Sequence, residues 1–408
     1  MSGSTSGPKR RFKPKFYAID IVDCDSKAKY RITVKPWDQI INIKESINKT
    51  SQIPPNQIEL YYKNIKLKDK NYAEIYGLLS KNPEIIYSSR KKFSNADRSI
   101  NIYQPLVSNL ILSYIKFGKI LDSIRNGFYQ DIFPELALDG TSGSYFLKNE
   151  NRKTIAVFKP IDEEAMAPNN PRKFVGKFGQ KTFRTGILSG EACIREVAAY
   201  MVDQGLWADV PQTTFVELTH PCFTDSQSDP LLLMNTSKDE VNMFMKSVLG
   251  IKEKKAIKER NVKYGSLQKF VHAFDVAENL SPDLFSVDEV HKIAILDIRI
   301  LNSDRNEANI LVKKKKDEGE AKYILIPIDH WMSFSGNLEI SDMDYCWSSW
   351  KQIEEPFSEE SLERIEKINI ELDIQFIRSA FYFRKECLRN MIISNIMLKQ
   401  CAKAGLKL

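Results

Sequence analysis

The sequence predicts an α+β protein in which a small mixed module precedes a larger domain. Two observations predict it. Stretches with the two-residue period of strands alternate with helix-period stripes along the chain, and 42% of the 408 residues are apolar, enough to bury more than one core. Pattern and composition divide the chain into residues 1–15 as a disordered basic tail, 16–90 as the small module, 91–130 as a helical connector and 131–408 as the larger domain.

Each element has a local cause. The tail "MSGSTSGPKRRFKP" is rich in Ser, Gly, Pro and positive charge and cannot build a core. In "KYRITV", Tyr30, Ile32 and Val34 alternate with Arg31, Thr33 and Lys35, the pattern of a half-buried strand. Ile40, Ile43 and Ile47 then recur at helical spacing after a candidate N-cap at Asp38, and Pro54 and Pro55 forbid continuation. "IELYY" returns to alternation. In the connector, Leu106, Leu110, Tyr114, Phe117 and Leu121 form one helical stripe. The run "KKKKDEGEAK" lies between "NILV" and "YILIPI", so it reads as the exposed loop of a strand pair.

Charge and cysteine usage exclude several classes. Sixty Lys and Arg face 53 Asp and Glu, leaving a net charge of +7 that is mostly interspersed. The basic clusters at Lys9–Lys15, Lys252–Lys263 and Lys313–Lys316 lack interleaved aromatics, so no nucleic-acid partner is expected. Six scattered cysteines without a CxxC pair, and no apolar run after the N-terminus, point to a reducing, cytoplasmic compartment. No stretch approaches the roughly 20 apolar residues of a transmembrane segment, so any membrane contact is expected to be peripheral. The four histidines are too dispersed for a metal cluster.

Four segments carry chemistry. "ALDGTSGSYFL" is a Gly and Ser turn feeding a strand, and "TIAVFKP" follows as a second strand. Small residues there let backbone N–H groups and the hydroxyls of Ser142 and Ser144 approach a polyphosphate, with Lys159 to neutralise it. In "SGEACIREVAAYMVDQG", Ile194, Val197 and Met201 make a helical stripe that leaves Glu196 on an adjacent face, where it pairs with Lys159 or simply meets solvent. "VDEVHKIAILDIRIL" is apolar on most sides and reads as a buried helix that delivers Asp304 into a polar loop. Asn309 follows five residues later, the interval that puts a carboxylate beside an attacking hydroxyl and a side-chain carbonyl on a magnesium ion. "YILIPIDHW" is an apolar strand that ends in Asp329, which a strand pair would return beside Asn309. Taken in chain order, these features point to phosphoryl transfer.

The residues also carry two resemblances. Phe16 to about Arg90, with "IPPNQIELYYKNIKLKD", resembles ubiquitin and ubiquitin-like domains of the β-grasp fold, although "IIYSSRKK" lacks a terminal di-glycine. That implies a binding module, with ubiquitin-receptor-type partners, rather than a conjugated tag. "GTSGSYFL", "IAVFKPIDEE", "NNPR", "REVAAY", "GSLQKFV", "LDIRILNSDRNEANILV" and "IPIDH" resemble the two-lobed, protein-kinase-like catalytic domain of phosphatidylinositol 3- and 4-kinases, most closely the plant-type gamma subgroup of type II phosphatidylinositol 4-kinases. The resemblance implies ATP and Mg2+ as cofactors and phosphatidylinositol in membranes as acceptor. It implies Ser142, Gly143 and Ser144 in the phosphate loop, Lys159 on the ATP phosphates and Glu196 orienting Lys159. Gln268, Lys269, Phe270 and Val271 would form the adenine hinge, Asp304 the catalytic base, and Asn309 and Asp329 the magnesium ligands. Trp331 stands where the family usually has glycine, and "NEAN" replaces an expected His-Ala-Gly-Asn. Members of the gamma subgroup are also regarded as protein kinases, so a Ser/Thr protein kinase recruited through the ubiquitin-like domain is one alternative, and a weakly active ATP-binding scaffold another. The segment from Ala165 to Gly190 contains no cysteine for lipid modification, and Lys173, Lys177, Lys181 and Arg184 interleave with Phe174, Phe178 and Phe183 as an expected basic and aromatic contact with anionic membrane.

Overall fold

The computed structural model describes residues 16–23, 29–53, 55, 58–62, 65–76, 78–79, 84–89, 98–102, 111–220, 222–223, 262–317, 320–339 and 343–408. The basic tail at 1–15 and nearly all of the Lys252–Lys263 cluster lie outside them. The chain divides into two units, Met1–Ser94 and Asn95–Leu408.

In the first unit, strands β1 (Tyr17–Asp23) and β2 (Lys29–Val34) pair antiparallel and lead into helix α1 (Ile40–Ser51). Strands β3 (Ile58–Tyr62), β4 (Ile65–Lys66) and β5 (Glu84–Ser89) complete a sheet of order β2-β1-β5-β3-β4, with β1 and β5 parallel. Ile40, Ile43 and Ile47 of α1 are buried in one core with Ile19, Leu60 and Ile85, which is why the helix lies across the sheet. The helix start differs from expectation. Asp38 spends its carboxylate on the N–H of Lys35 at 2.8 Å, in the preceding turn, so Gln39 is the N-cap and donates its own N–H to Asn42 Oδ1 at 2.9 Å. Gln52, left-handed at φ 58°, ends the helix ahead of Pro54.

The second unit opens with β6 (Ser99–Ile102) and α2 (Ile111–Tyr129), both within the segment expected as a connector. A six-stranded antiparallel sheet follows: β7 (Glu135–Leu136), β8 (Tyr145–Lys148), β9 (Thr154–Pro160), β10 (Thr213–Thr219) and β11 (Val262–Lys269) join β6 in the order β6-β10-β11-β9-β8-β7. Phe117, Leu121, Ile124 and Phe128 of α2 bury against Tyr145, Phe158, Val216 and Leu267 of that sheet. At about 1.5–3 kcal/mol for each large apolar side chain, this contact is a main source of the unit's stability. Between β9 and β10 lies α3 (Ala192–Val202), buried from Cys193 to Val202.

The remainder is largely helical. Strand β12 (Asp275–Val276) precedes α4 (Val287–Ile300), which Ser286 caps through Glu289 N–H. After it come β13 (Asp304–Arg305), β14 (Ile310–Asp317), β15 (Glu320–Pro327) and β16 (Asp344–Tyr345). Helices α5 (Glu359–Lys367), α6 (Ile370–Ala380) and α7 (Lys385–Lys403) close the chain. The second unit thus has two lobes, a sheet-rich one followed by a largely helical one. The lysine run is not a loop. It belongs to the strands, pairing Lys313 with Ile324 and Asp317 with Glu320. The ladder continues past the core because Lys313, Lys314 and Lys315 point to solvent, and Lys314 Nζ stands 5.4 Å from the Phe274 ring and 5.8 Å from that of Tyr323.

Candidate active site

The Gly and Ser segment forms the tip of the β7–β8 hairpin, in which Leu136 pairs with Tyr145. Its inner side rests on the acidic segment just after β9. Gly143 donates its N–H to Glu163 O at 2.8 Å, and the Ser142 hydroxyl oxygen accepts from Ala165 N–H at 3.1 Å. A Cβ at Gly143 would lie 2.3 Å from Glu163 Oε2, so close approach dictates glycine here. The Gly143 N–H is thus occupied by the fold, while the Ser142 O–H still has a proton to donate outward.

Strand β9 carries Lys159 to the cavity floor. Its Nζ donates to Glu196 Oε1 at 2.5 Å and to Asp329 Oδ1 at 2.7 Å. Burial disfavours the Lys159 charge, yet the Asp329 and Glu196 carboxylates outweigh it and hold the ammonium above its usual range. Burial likewise acts to raise Glu196, but Lys159 dominates and holds that carboxyl well below the carboxylate range. Glu196 is 1% exposed, so it is no surface residue. On its other side, fully buried His330 places Nδ1 3.6 Å from Glu196 Oε2, and burial pushes the imidazole pKa down.

The loop after α4 is organised by one buried cation. Arg305, fully buried, pairs with Asp297 through Nε and Nη2, while its Nη1 donates to Asn309 O at 2.8 Å and Ile328 O at 2.7 Å. Asp297 also accepts from Trp347 Nε1 at 3.0 Å and Asn302 Nδ2 at 3.0 Å, which assigns Trp347 to the core. Ile328 N–H in turn bonds Asn309 O at 3.0 Å, bringing Asn309 and Asp329 together. Asp329 itself is left-handed at φ 58°, a backbone state an L-residue holds only under local constraint.

A cavity of about 380 Å³ gathers these groups. Ser142, Gly143, Ser144, Lys159, Glu196, Gln268, Lys269, Phe270, Val271, Asn309 and Asp329 all line it. Lys269 N–H bonds Gln212 O at 2.8 Å, Phe270 N–H bonds Ile155 O at 2.9 Å, and Gln268 Nε2 bonds Thr213 Oγ1 at 3.1 Å, so this segment is fixed from β9 and from the start of β10. Asp304 is not among the lining residues. It sits on β13 beside Arg184, whose Nη2 is 3.3 Å from Asp304 Oδ1 and 3.5 Å from Asp344 Oδ2. Burial raises its carboxyl pKa, and Arg184 works against that.

Several site residues were not legible as such in the sequence. Arg184 was expected on a membrane-facing patch, but it pairs with Asp304. Of the accompanying aromatics, Phe178 packs on the α3 core, whereas Phe174 and Phe183 stay exposed and stack edge-on at 5.2 Å. Phe183 in turn meets Trp331 of the cavity wall at 6.4 Å. Asp162 and Glu163 hold buried Lys263 of β11, and Tyr145 donates to Glu163 Oε2 at 2.7 Å. The three consecutive acids Asp162, Glu163 and Glu164, placed just after the strand that carries Lys159, were the available signal.

Comparison with known proteins gives the family. Residues 140–408 match the family model described as phosphatidylinositol 3- and 4-kinase, and residues 21–84 match that of the ubiquitin family. Among curated relatives, phosphatidylinositol 4-kinase gamma 6 of Arabidopsis thaliana is 38% identical over 273 residues, covering 65% of this chain and 40% of that protein. Phosphatidylinositol 4-kinase gamma 5 of the same plant is 34% identical over 306 residues, covering 74% and 44%. Phosphatidylinositol 4-kinase gamma 4 of Oryza sativa subsp. japonica is 32% identical over 314 residues, covering 74% and 46%. The chain thus spans less than half the length of these relatives. With a ubiquitin-family domain ahead of its kinase domain, the chain belongs to the phosphatidylinositol 3- and 4-kinase family.

Proposed function

We propose that the second unit is an ATP- and Mg2+-dependent phosphatidylinositol 4-kinase that transfers the ATP γ-phosphoryl to a hydroxyl of the inositol ring. The observation that carries this reading is Lys159, held between Glu196 and Asp329 in a cavity that also contains the hinge and the Gly and Ser tip. Lys159 neutralises phosphate charge, with Glu196 fixing its direction. The Ser142 hydroxyl donates to phosphate oxygens, and the Val271 backbone meets the adenine edge beside the Phe270 ring. Asp304 accepts the proton of the attacking hydroxyl, its raised pKa favouring that role.

The donor set suits magnesium. Among the described residues no group of three or more His, Cys, Asp or Glu forms a metal cluster, whereas Asn309 and Asp329 offer two hard oxygens on one wall. Magnesium at kinase sites takes one or two protein oxygens and completes its shell with phosphates and water. When bound there, the ion supplies charge neutralisation across the phosphates. Arg305 holds the two segments that carry these ligands.

A lipid acceptor is supported by the aromatic string Phe174, Phe183 and Trp331, which runs from the exposed surface to the cavity wall beside exposed Lys173, Lys177 and Lys181. No helix of the described residues is long and apolar enough to cross a membrane, so contact would be peripheral. The ubiquitin-family domain would serve as a protein-binding module. A radiolabelled ATP transfer assay tests the reading, with phosphatidylinositol vesicles and a generic protein acceptor offered in parallel and Asp329→Ala as control. Label in lipid that Asp329→Ala abolishes is expected; label in protein alone refutes the lipid acceptor, and label in neither refutes the kinase.

A further inference from the structure

Three consecutive acids follow β9, and between them they tie it to β11, to the Gly143 tip and to α3. Asp162 pairs with Lys263 of β11. Glu163 also meets Lys263, and it supports the Gly143 tip. Glu164 alone turns to α3. Its Oε2 accepts from Gly190 N–H at 2.8 Å and Ala192 N–H at 3.0 Å, and its Oε1 accepts from Cys193 N–H at 2.8 Å.

Helix α3 has no cap of its own, because Glu191 at the N-cap position makes no side-chain capping bond and turns instead to Arg195 and Arg384. Glu164, 3% exposed, therefore satisfies the first N–H groups of the helix from a distant segment and places a negative charge at the positive end of its dipole. Glu196 lies three residues beyond Cys193, less than one turn from the capped groups. Glu164 follows Lys159 by five residues on the same segment. One carboxylate thus ties the segment that delivers the lysine to the helix that delivers its partner.

We propose that Glu164 is a positioning residue for phosphoryl transfer, whose ionised carboxylate sets the place of Glu196, and through it Lys159, by capping α3. This rests on the reading of the cavity as an ATP site. Only the carboxylate accepts all three N–H bonds; a proton on it replaces an acceptor with a donor facing donors. Burial pushes its pKa up to about 7, so the cap is completed as pH rises through neutrality. The raised pKa means that folding itself favours the protonated form, so stability falls as pH rises from about 4.5 to about 7, while activity rises. The other titratable groups around it are the Cys193 thiol on α3, which burial and Glu164 keep protonated, Asp162 and Glu163 on its own segment, Lys263 of β11, which pairs with those two, and Lys159 and Glu196, which share the cavity.

The test compares full-length wild type with Glu164→Gln and Glu164→Asp. Three readouts are followed from pH 5.5 to 8.5 (about three units): folding by circular dichroism, kcat and ATP KM on the acceptor that wild type labels, and the dissociation constant of MgATP. Wild type is expected to show an acidic limb near pH 7 in kcat and in MgATP affinity. Glu164→Gln is expected to lose that limb and about tenfold in kcat, and Glu164→Asp, which keeps the charge, to retain it. A folded Glu164→Gln with wild-type kcat overturns the proposal, as does a lowered kcat with the acidic limb unchanged. If Glu164→Gln does not fold, an acidic limb missing from Glu164→Asp overturns it and a retained one supports it. If wild type labels no acceptor, the function reading fails by itself and the MgATP profile still decides the role of Glu164.

Discussion

Replacing Arg305 by methionine removes the guanidinium but keeps an unbranched chain of similar reach. Asp297 would then retain only Trp347 Nε1 and Asn302 Nδ2 as donors at 0% exposure, and the carbonyls of Asn309 and Ile328 would lose Nη1. Breaking a buried pair by removing one partner leaves an uncompensated charge and costs about 3–5 kcal/mol. Arg305→Lys keeps the charge without the fork, so it is expected to cost about 1–3 kcal/mol, the desolvation of the groups one ammonium cannot reach. Urea unfolding followed by tryptophan fluorescence reads this directly, because the Trp347 ring N–H belongs to the same network. The lysine variant is also expected to lose phosphoryl transfer out of proportion to its stability, since it no longer fixes the carbonyls beside Asn309 and Asp329. An Arg305→Met protein within about 1 kcal/mol of wild type, the range of ordinary surface changes, would refute the reasoning.

Lys159→Met is expected to weaken nucleotide binding by about ten- to a hundredfold, the worth of a charge-assisted contact, and a fluorescent-nucleotide titration with unchanged affinity would contradict it. Gly143→Ala forces a methyl group to within 2.3 Å of Glu163 Oε2; ATP KM should rise severalfold and stability fall by about 1–3 kcal/mol, read by steady-state kinetics and urea unfolding. Lys159 holds the Glu196 carboxyl below its ordinary value of 4.5 despite burial, so this contribution to stability is complete above that pH and is lost as pH falls through the depressed value. Glu196→Gln should therefore flatten the acid side of the stability profile, and an unchanged acid slope would count against the ion pair.

How far the sequence could be read depended on whether a residue's partner is implied by local pattern. Ile40, Ile43 and Ile47 announce a buried face by spacing alone, and the interval from Asp304 to Asn309 announces a loop. The N-cap was misplaced by one residue because Asp38 and Gln39 both carry acceptors, and only the preceding turn decides which is free. The lysine run looked like a loop because its charges hide a ladder whose register is set by apolar residues farther along. Glu164 and Arg184 were opaque for a different reason. Their partners, the N–H groups of α3 and Asp304, lie 26 or more residues away, and nothing in a linear pattern couples them.

Lys159 is shared between two unequal carboxylates, Glu196 at 1% side-chain exposure and Asp329 at 33%. A phosphate that competes for the ammonium would displace the more exposed partner first, and Asp329 would be released to face a cation just when the phosphate brings one. Nucleotide and magnesium would then be linked ligands: each raises the affinity of the other by the same factor, because the free energy of parting Lys159 from Asp329 is common to both. Titrated singly, either should bind more weakly than in the presence of its companion.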